Sequence, residues 1–168
     1  MGTDRSNIAR AADVAPANAG VRFPPPFVYL IVLGVAWAIN RWHPWRITPG
    51  PSSARLTVAA LGALMFLRFF VGAFSVFRRK RTSIIPNRPT TALVTDDVYR
   101  FTRNPMYLGL VFLYVAAGLA LNMWWAFALL PVAVIVIDRS VIAREERYLT
   151  SAFPTEYAAY RARVRRWL

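Results

Sequence analysis

From Met106 to Ile137 the chain runs 32 residues with a single strongly polar side chain, Asn122. As one helix rising 1.5 Å per residue this run would be ~48 Å long, well beyond a hydrocarbon core of ~30 Å. It therefore predicts two helical legs, about residues 105–121 and 123–138, turning near Leu121 and Asn122. Pro131 is expected to kink the second leg.

Two earlier segments are also apolar. Residues 26–42 are short for the ~20 that cross a bilayer, but Arg41, Trp42, Trp45 and Arg46 flank them as interfacial anchors do. Residues 56–77 are long enough and end in "RRKR" at 78–81, a cytoplasmic stop. The expectation is an all-α, multi-pass transmembrane bundle of about four spans. It forms a single membrane domain, 23–168, after a mobile polar tail, 1–22. The run Phe27–Ile39, with "AWA" at 36–38 near its end, imitates a signal-peptide core with its cleavage site, but the long polar lead before it argues for a retained span.

Composition agrees: 57% of the residues are hydrophobic and 14% aromatic. No cysteine is present, which excludes disulfides, thiolate metal sites and a cysteine nucleophile. The net charge of +13 is placed like cytoplasmic loops, not like a nucleic-acid-binding stripe. Three Lys/Arg precede the first span, seven lie between Arg78 and Arg103, and seven more between Arg139 and Arg166. Only Arg41, Arg46 and Arg55 fall at the opposite loop. Both termini and the 78–104 loop are thus expected on the cytoplasmic side, in the inner membrane if the source is bacterial, with the lipid bilayer as partner and no nucleic acid.

Chemistry gathers on that side. Asn104 is a good N-cap and Pro105 a good first helical residue. The third span therefore starts with free N–H groups and a positive dipole end beside Arg103, a seat for a carboxylate. In "DRSVIAREERYL", 138–149, helical spacing places Glu145 on a face with Val141, Ile142, Tyr148 and Leu149. Glu146 lies about 100° further round, so the two acids are not expected to serve identical partners, and one of them is expected to pair with Arg139, Arg144 or Arg147. The C-terminal "EYAAYRARVRRWL", 156–168, reads as a basic amphipathic helix at the cytoplasmic mouth of the bundle. His43 lies on the opposite side, so no histidine-based triad forms, and no metal-ligand cluster is visible. Arg68, near the middle of the second span, is too costly to face lipid and is expected to face protein or a wet cavity.

The segments "TALVTDDVYRFTRNPMYLG", 91–109, and "REERYLTSAFPTEYAAYRARV", 144–164, resemble the isoprenylcysteine carboxyl methyltransferase family, which belongs with the membrane phospholipid methyltransferases. The resemblance covers residues 80–168 in detail and the first two spans in topology. It implies S-adenosyl-L-methionine as cofactor, held by Thr91, Leu93, Val94, Tyr99, Arg103, Asn104, Pro105, Tyr107, Glu145 and Glu146. It also implies an arginine at the substrate carboxylate, for which Arg139 and Arg144 are both candidates, with Tyr107 beside the reaction. Departures from the family pattern are Thr91 and Asn104 in place of histidines, and Asp97 and Pro154 in place of glycines; Asp tolerates a left-handed turn.

The resulting expectation is a membrane methyltransferase acting on a lipophilic acceptor, first a carboxylate such as a prenylcysteine-like group. A carboxylate is already ionised at neutral pH, whereas an ammonium must first give up a proton. The alternatives are a phospholipid amine N-methyltransferase and a non-enzymatic membrane protein that keeps the fold.

Overall fold

A computed structural model of the chain describes residues 24–80 and 93–168. The expected N-terminal tail and Thr91 lie outside these residues. The described chain is helical, in the order α1 (Pro25–Trp42), α2 (Ser53–Arg79), a 3-10 turn (Asp97–Arg100), α3 (Pro105–Ala120), α4 (Trp124–Ile137), a π turn (Asp138–Ile142), α5 (Ala143–Ala152) and α6 (Pro154–Arg163).

Local sequence sets these boundaries. Pro25 and Pro26 open α1, where a missing N–H costs nothing. Ser52 caps α2, its Oγ accepting from the Arg55 N–H at 3.2 Å. The long apolar run breaks where expected: Asn122 takes a left-handed φ of 55°. Gly118 makes the return close, since a Cβ there would lie 2.6 Å from the Ala126 Cβ. α4 passes through Pro131.

The turn is also a latch. Asn122 Oδ1 accepts from the Ile47 and Thr48 N–H groups at 3.1 and 3.0 Å, and its Nδ2 donates to the Thr48 carbonyl at 2.9 Å. Arg55 donates to the Leu119 and Ala120 carbonyls, placing a cation on the negative end of α3. Trp125 Nε1 donates to the His43 carbonyl at 2.8 Å, and the Trp124 N–H to the Trp45 carbonyl at 2.8 Å. The most polar residue of the run therefore binds the two loops at one end of the bundle.

α2 packs along α3, α1 along α4, and α3 and α4 against each other. One core cluster joins α1, α3 and α4 around Tyr29, Tyr114, Ala133 and Ile137. A second joins α2 to residues 94–99 through Ala73, Val76, Val94 and Val98. Leu30, Ile31, Leu61, Leu64, Val71, Val132 and Ile135 point outward, an apolar exterior suited to lipid. Among the described residues, two helices are long and apolar enough to cross a membrane: Ser53–Arg79, and Trp124–Ala152 taken as one continuous helix. Pro105–Ala120 is apolar but shorter.

The C-terminus departs from expectation. The predicted helix over 156–168 stops at Arg163, and Val164 is extended at φ −123° and ψ 131°. The cause is competition: the last residues spend their hydrogen-bonding groups on residues 102–104 instead of on their own helix.

Candidate functional site

The end of the bundle opposite the latch carries the charge. Asp97, where the turn needs a left-handed residue, has φ 53°. Its carboxylate accepts from Arg68 Nη2 at 3.0 Å and lies 3.8 Å from Arg79 Nη2, while Asp96 pairs with Lys80 at 2.8 Å. Arg68 thus turns to a protein carboxylate, with about half of its side chain still exposed. Gly72 lets the turn approach α2, since a Cβ there would lie 2.7 Å from Val98 Cγ1 and 2.6 Å from Arg68 Nη1. Val94, Val98 and Tyr99 are buried behind it, with Phe77 edge-on to Tyr99. Leu93 is half-buried.

Residues 102–104 are held by the C-terminal segment after α6. The Arg103 N–H donates to the Arg165 carbonyl at 2.9 Å, and Thr102 Oγ1 and Asn104 Nδ2 donate to the Arg166 carbonyl at 3.0 and 2.9 Å. Asn104 sits at the expected cap position, but its side chain does not cap α3; it is drawn to the tail instead. Pro105 comes next, buried, as the first residue of α3. Tyr160 Oη donates to the Tyr99 carbonyl at 2.7 Å, fixing α6 over the same loop.

The two neighbouring acids of α5 take different partners. Glu146 is buried and bridges Arg103, at 2.8 Å, and Arg166. Arg166 also reaches Asp138 at 3.0 Å, and Trp167 Nε1 donates to Asp138 at 3.1 Å. Glu146 thus draws these ion-pair partners from the 103 loop and the tail, far from it in sequence. Glu145 accepts the Tyr107 hydroxyl at 2.6 Å. It is also less sealed than Glu146, against the expectation that Glu145 alone would turn inward. The π turn explains this: one extra residue in the turn rotates α5 by ~100° relative to an unbroken α-helix, which brings both acids onto the protein-facing side.

Burial pushes the Glu145 carboxyl up to about 7, against the lowering effect of the Tyr107 hydrogen bond, and the nearby Glu146 charge adds to the rise. Burial likewise raises the Tyr99 and Tyr160 phenols. The hydrogen bond to Glu146 holds the Arg166 guanidinium above its ordinary value, with burial opposing.

Of the residues expected at the site, Val94, Tyr99, Arg103, Asn104, Pro105, Tyr107, Glu145 and Glu146 meet at this end of the bundle. Arg139 and Arg144 lie exposed on the helix surface. Sequence reasoning missed Thr102, Asp138 and Arg166. Asp138 carried a signal, being an acid at the edge of an apolar run; Arg166 carried none that separates it from its arginine neighbours. Among the described residues no cluster of groups suited to a metal ion is present.

An all-helical bundle with an apolar exterior and a charged site at one end defines a membrane-associated helical protein. The sequence profile of the phospholipid methyltransferase family matches residues 54–156, and the chain belongs to that family. It is also 43% identical over 63 residues to an uncharacterized protein of Haemophilus influenzae, covering 38% of this chain and all of that one. No solved structure gives a significant match.

Proposed function

We propose that the chain is a four-span membrane enzyme transferring a methyl group from S-adenosyl-L-methionine to a lipophilic acceptor, a carboxylate of the prenylcysteine type. Its site would lie at the cytoplasmic face. The observation that carries this reading is the division of labour between the two acids: Glu146 is neutralised by Arg103 and Arg166, while Glu145 accepts only one described hydrogen bond, from Tyr107.

The donor set suits a zwitterionic cofactor. Arg103 Nε is buried with no partner among the described residues, a cationic donor left over for a carboxylate. Glu145 is an acid left over for an ammonium. Leu93, Val94 and Tyr99 supply apolar and aromatic wall beside them, and Thr91 is proposed with them. When bound, S-adenosyl-L-methionine supplies an electrophilic methyl group on a sulfonium. The chain's own task is then to orient the reacting atoms and to exclude water, which requires positioning more than proton relay. The Arg103–Glu146–Arg166–Asp138 network keeps the loop, α5 and the tail in register, and α6 covers the loop. Arg139, Arg144 and Tyr107 remain the proposed acceptor-side residues; of these, Tyr107 is the one beside Glu145.

A second reading is methylation of a phospholipid amine. It is favoured by Glu145 itself, whose carboxyl at about 7 is matched to taking a proton near neutral pH. In that reading Glu145 serves as base.

Calorimetry of the detergent-purified protein with S-adenosylhomocysteine tests the cofactor. Binding is expected, and Glu145→Gln should weaken it by roughly 1.5–3 kcal/mol, the worth of a charged hydrogen bond. Glu146→Gln should lower thermal stability instead. No heat of binding in the parent protein would leave a non-enzymatic membrane protein that keeps the fold. A lipid comparison with and without the gene separates the acceptors: a methyl ester supports the carboxylate, and an N-methylated headgroup the amine.

A further inference from the structure

Between α1 and α3 two phenols meet without partners. Tyr29 and Tyr114 are 4% and 3% exposed, their ring centroids are 6.1 Å apart, and neither hydroxyl has a hydrogen-bond partner among the described residues. Buried side-chain hydroxyls nearly always find a partner, so two orphans side by side are an exception that asks for a reason. Packing alone does not supply one, because phenylalanine would fill the same space without a polar atom.

Their placement does. Both belong to the buried cluster that contains Tyr107, whose hydroxyl holds Glu145. α1 and α3 run in the same direction, away from the charged end, since α1 finishes beside Trp125 and α3 beside Arg55. Side chains on a helix lean toward its N-terminus. Both phenols therefore lean back toward the end of the bundle where Tyr107 and Glu145 lie. α1 packs mainly on α4, and α2 on α3, so the seam between α1 and α3 is the thinner one.

We infer that Tyr29 and Tyr114 form the binding site for the anionic oxygen of a carboxylate amphiphile entering from the membrane. A phenol is a far better donor than acceptor. Two of them in apolar surroundings offer a carboxylate two charge-assisted hydrogen bonds, whereas an ammonium would find two weak acceptors. The pair thus selects the acceptor's headgroup by chemistry. This rests on the reading of the chain as a membrane methyltransferase and assigns that enzyme two acceptor-binding residues.

The test uses the full chain in a non-ionic detergent, with oleate, oleylamine and S-adenosylhomocysteine as separate titrants, in the parent protein, Tyr29→Phe and Tyr114→Phe. Oleate is expected to bind the parent saturably and to bind each variant roughly tenfold or more weakly, as the loss of one hydrogen bond to a charged group implies. S-adenosylhomocysteine affinity should be the same in all three. Thermal stability should hold or rise in the variants, since only an unpartnered hydroxyl is removed, and each variant decides the matter by itself. Equal oleate affinity in parent and variants, non-saturable uptake, or a preference for oleylamine would overturn the assignment. Failure of S-adenosylhomocysteine to bind the parent would sink the methyltransferase reading and leave the oleate comparison to judge the phenol pair separately.

Discussion

At the scale of single residues, the site is shaped by side chains that meet a backbone demand and a charge demand at once. Asp97 occupies a left-handed position and holds Arg68. Asp97→Asn should keep the turn and lose the ion pair, whereas Asp97→Ala should lose both and be less stable than the Asn variant by about 1 kcal/mol, the lower cost of a left-handed backbone with a Cβ and no local hydrogen bond. Thermal unfolding of the two variants side by side checks the difference; identical values would mean that the backbone conformation is not strained. Glu145 makes a pH prediction. Its carboxyl is raised from the ordinary carboxylate range to about 7, so between about 4.5 and 7 the folded chain holds a proton that the unfolded chain has released. The associated stability is fully present below the ordinary carboxylate range and is lost as pH rises through about 7. Glu145→Gln should flatten this part of the stability–pH profile, by up to ~3 kcal/mol. A profile of unchanged slope would show that Glu145 is ionised throughout.

At the scale of elements, an extended C-terminal segment takes the place of the longer helix that the sequence predicts. It threads the Arg165 and Arg166 carbonyls onto Arg103, Thr102 and Asn104, and places the Arg166 guanidinium between Glu146 and Asp138. Removing one member of a buried ion pair leaves the other uncompensated. Arg103→Ala, at a side chain only 10% exposed, should cost about 3 kcal/mol. Arg166→Ala, at a side chain 35% exposed, should cost less because water screens what it leaves behind. Urea unfolding in detergent reads the order, and a larger loss at Arg166 would reverse it. The same segment marks what short-range patterns do not encode. The break at Asn122 and the start at Pro105 were legible because apolar run length and proline chemistry act over a few neighbouring residues, whereas the Ser52 cap opens α2 at Ser53, ahead of the expected Leu56. The Glu146 partners were not legible, because Arg103 and Arg166 arrive from 43 residues before and 20 after. The π turn escaped as well, since periodicity assumes an unbroken α-helix and "DRSVI" contains no residue that marks the extra step.

At the scale of the whole molecule, the two ends of the bundle differ in kind. One is a neutral latch of Asn122, Thr48 and backbone, with Arg55 closing α3. The other carries the acids, most of the arginines and the tail. Lys/Arg-rich loops stay in the cytoplasm, so the orientation rests on that asymmetry, while the number of crossings depends on helices of unequal length. α1 has 18 residues and α3 has 16, both near the minimum for a ~30 Å core. Each is tied by its far end to the latch, which gives a short helix a reason to cross fully. The chain has no cysteine, so introduced cysteines report without background. Ser53→Cys and Leu121→Cys, at exposed positions near the latch, should react with a membrane-impermeant maleimide added to intact cells. Arg100→Cys and Ser151→Cys, exposed at the charged end, should react only after permeabilisation, as should a tag at the N-terminus. Labelling of Leu121→Cys only after permeabilisation would mean that α3 and α4 re-enter without crossing. An N-terminal tag accessible from outside would leave three spans, with α1 lying along the membrane, and would take Tyr29 away from Tyr114 in the native membrane.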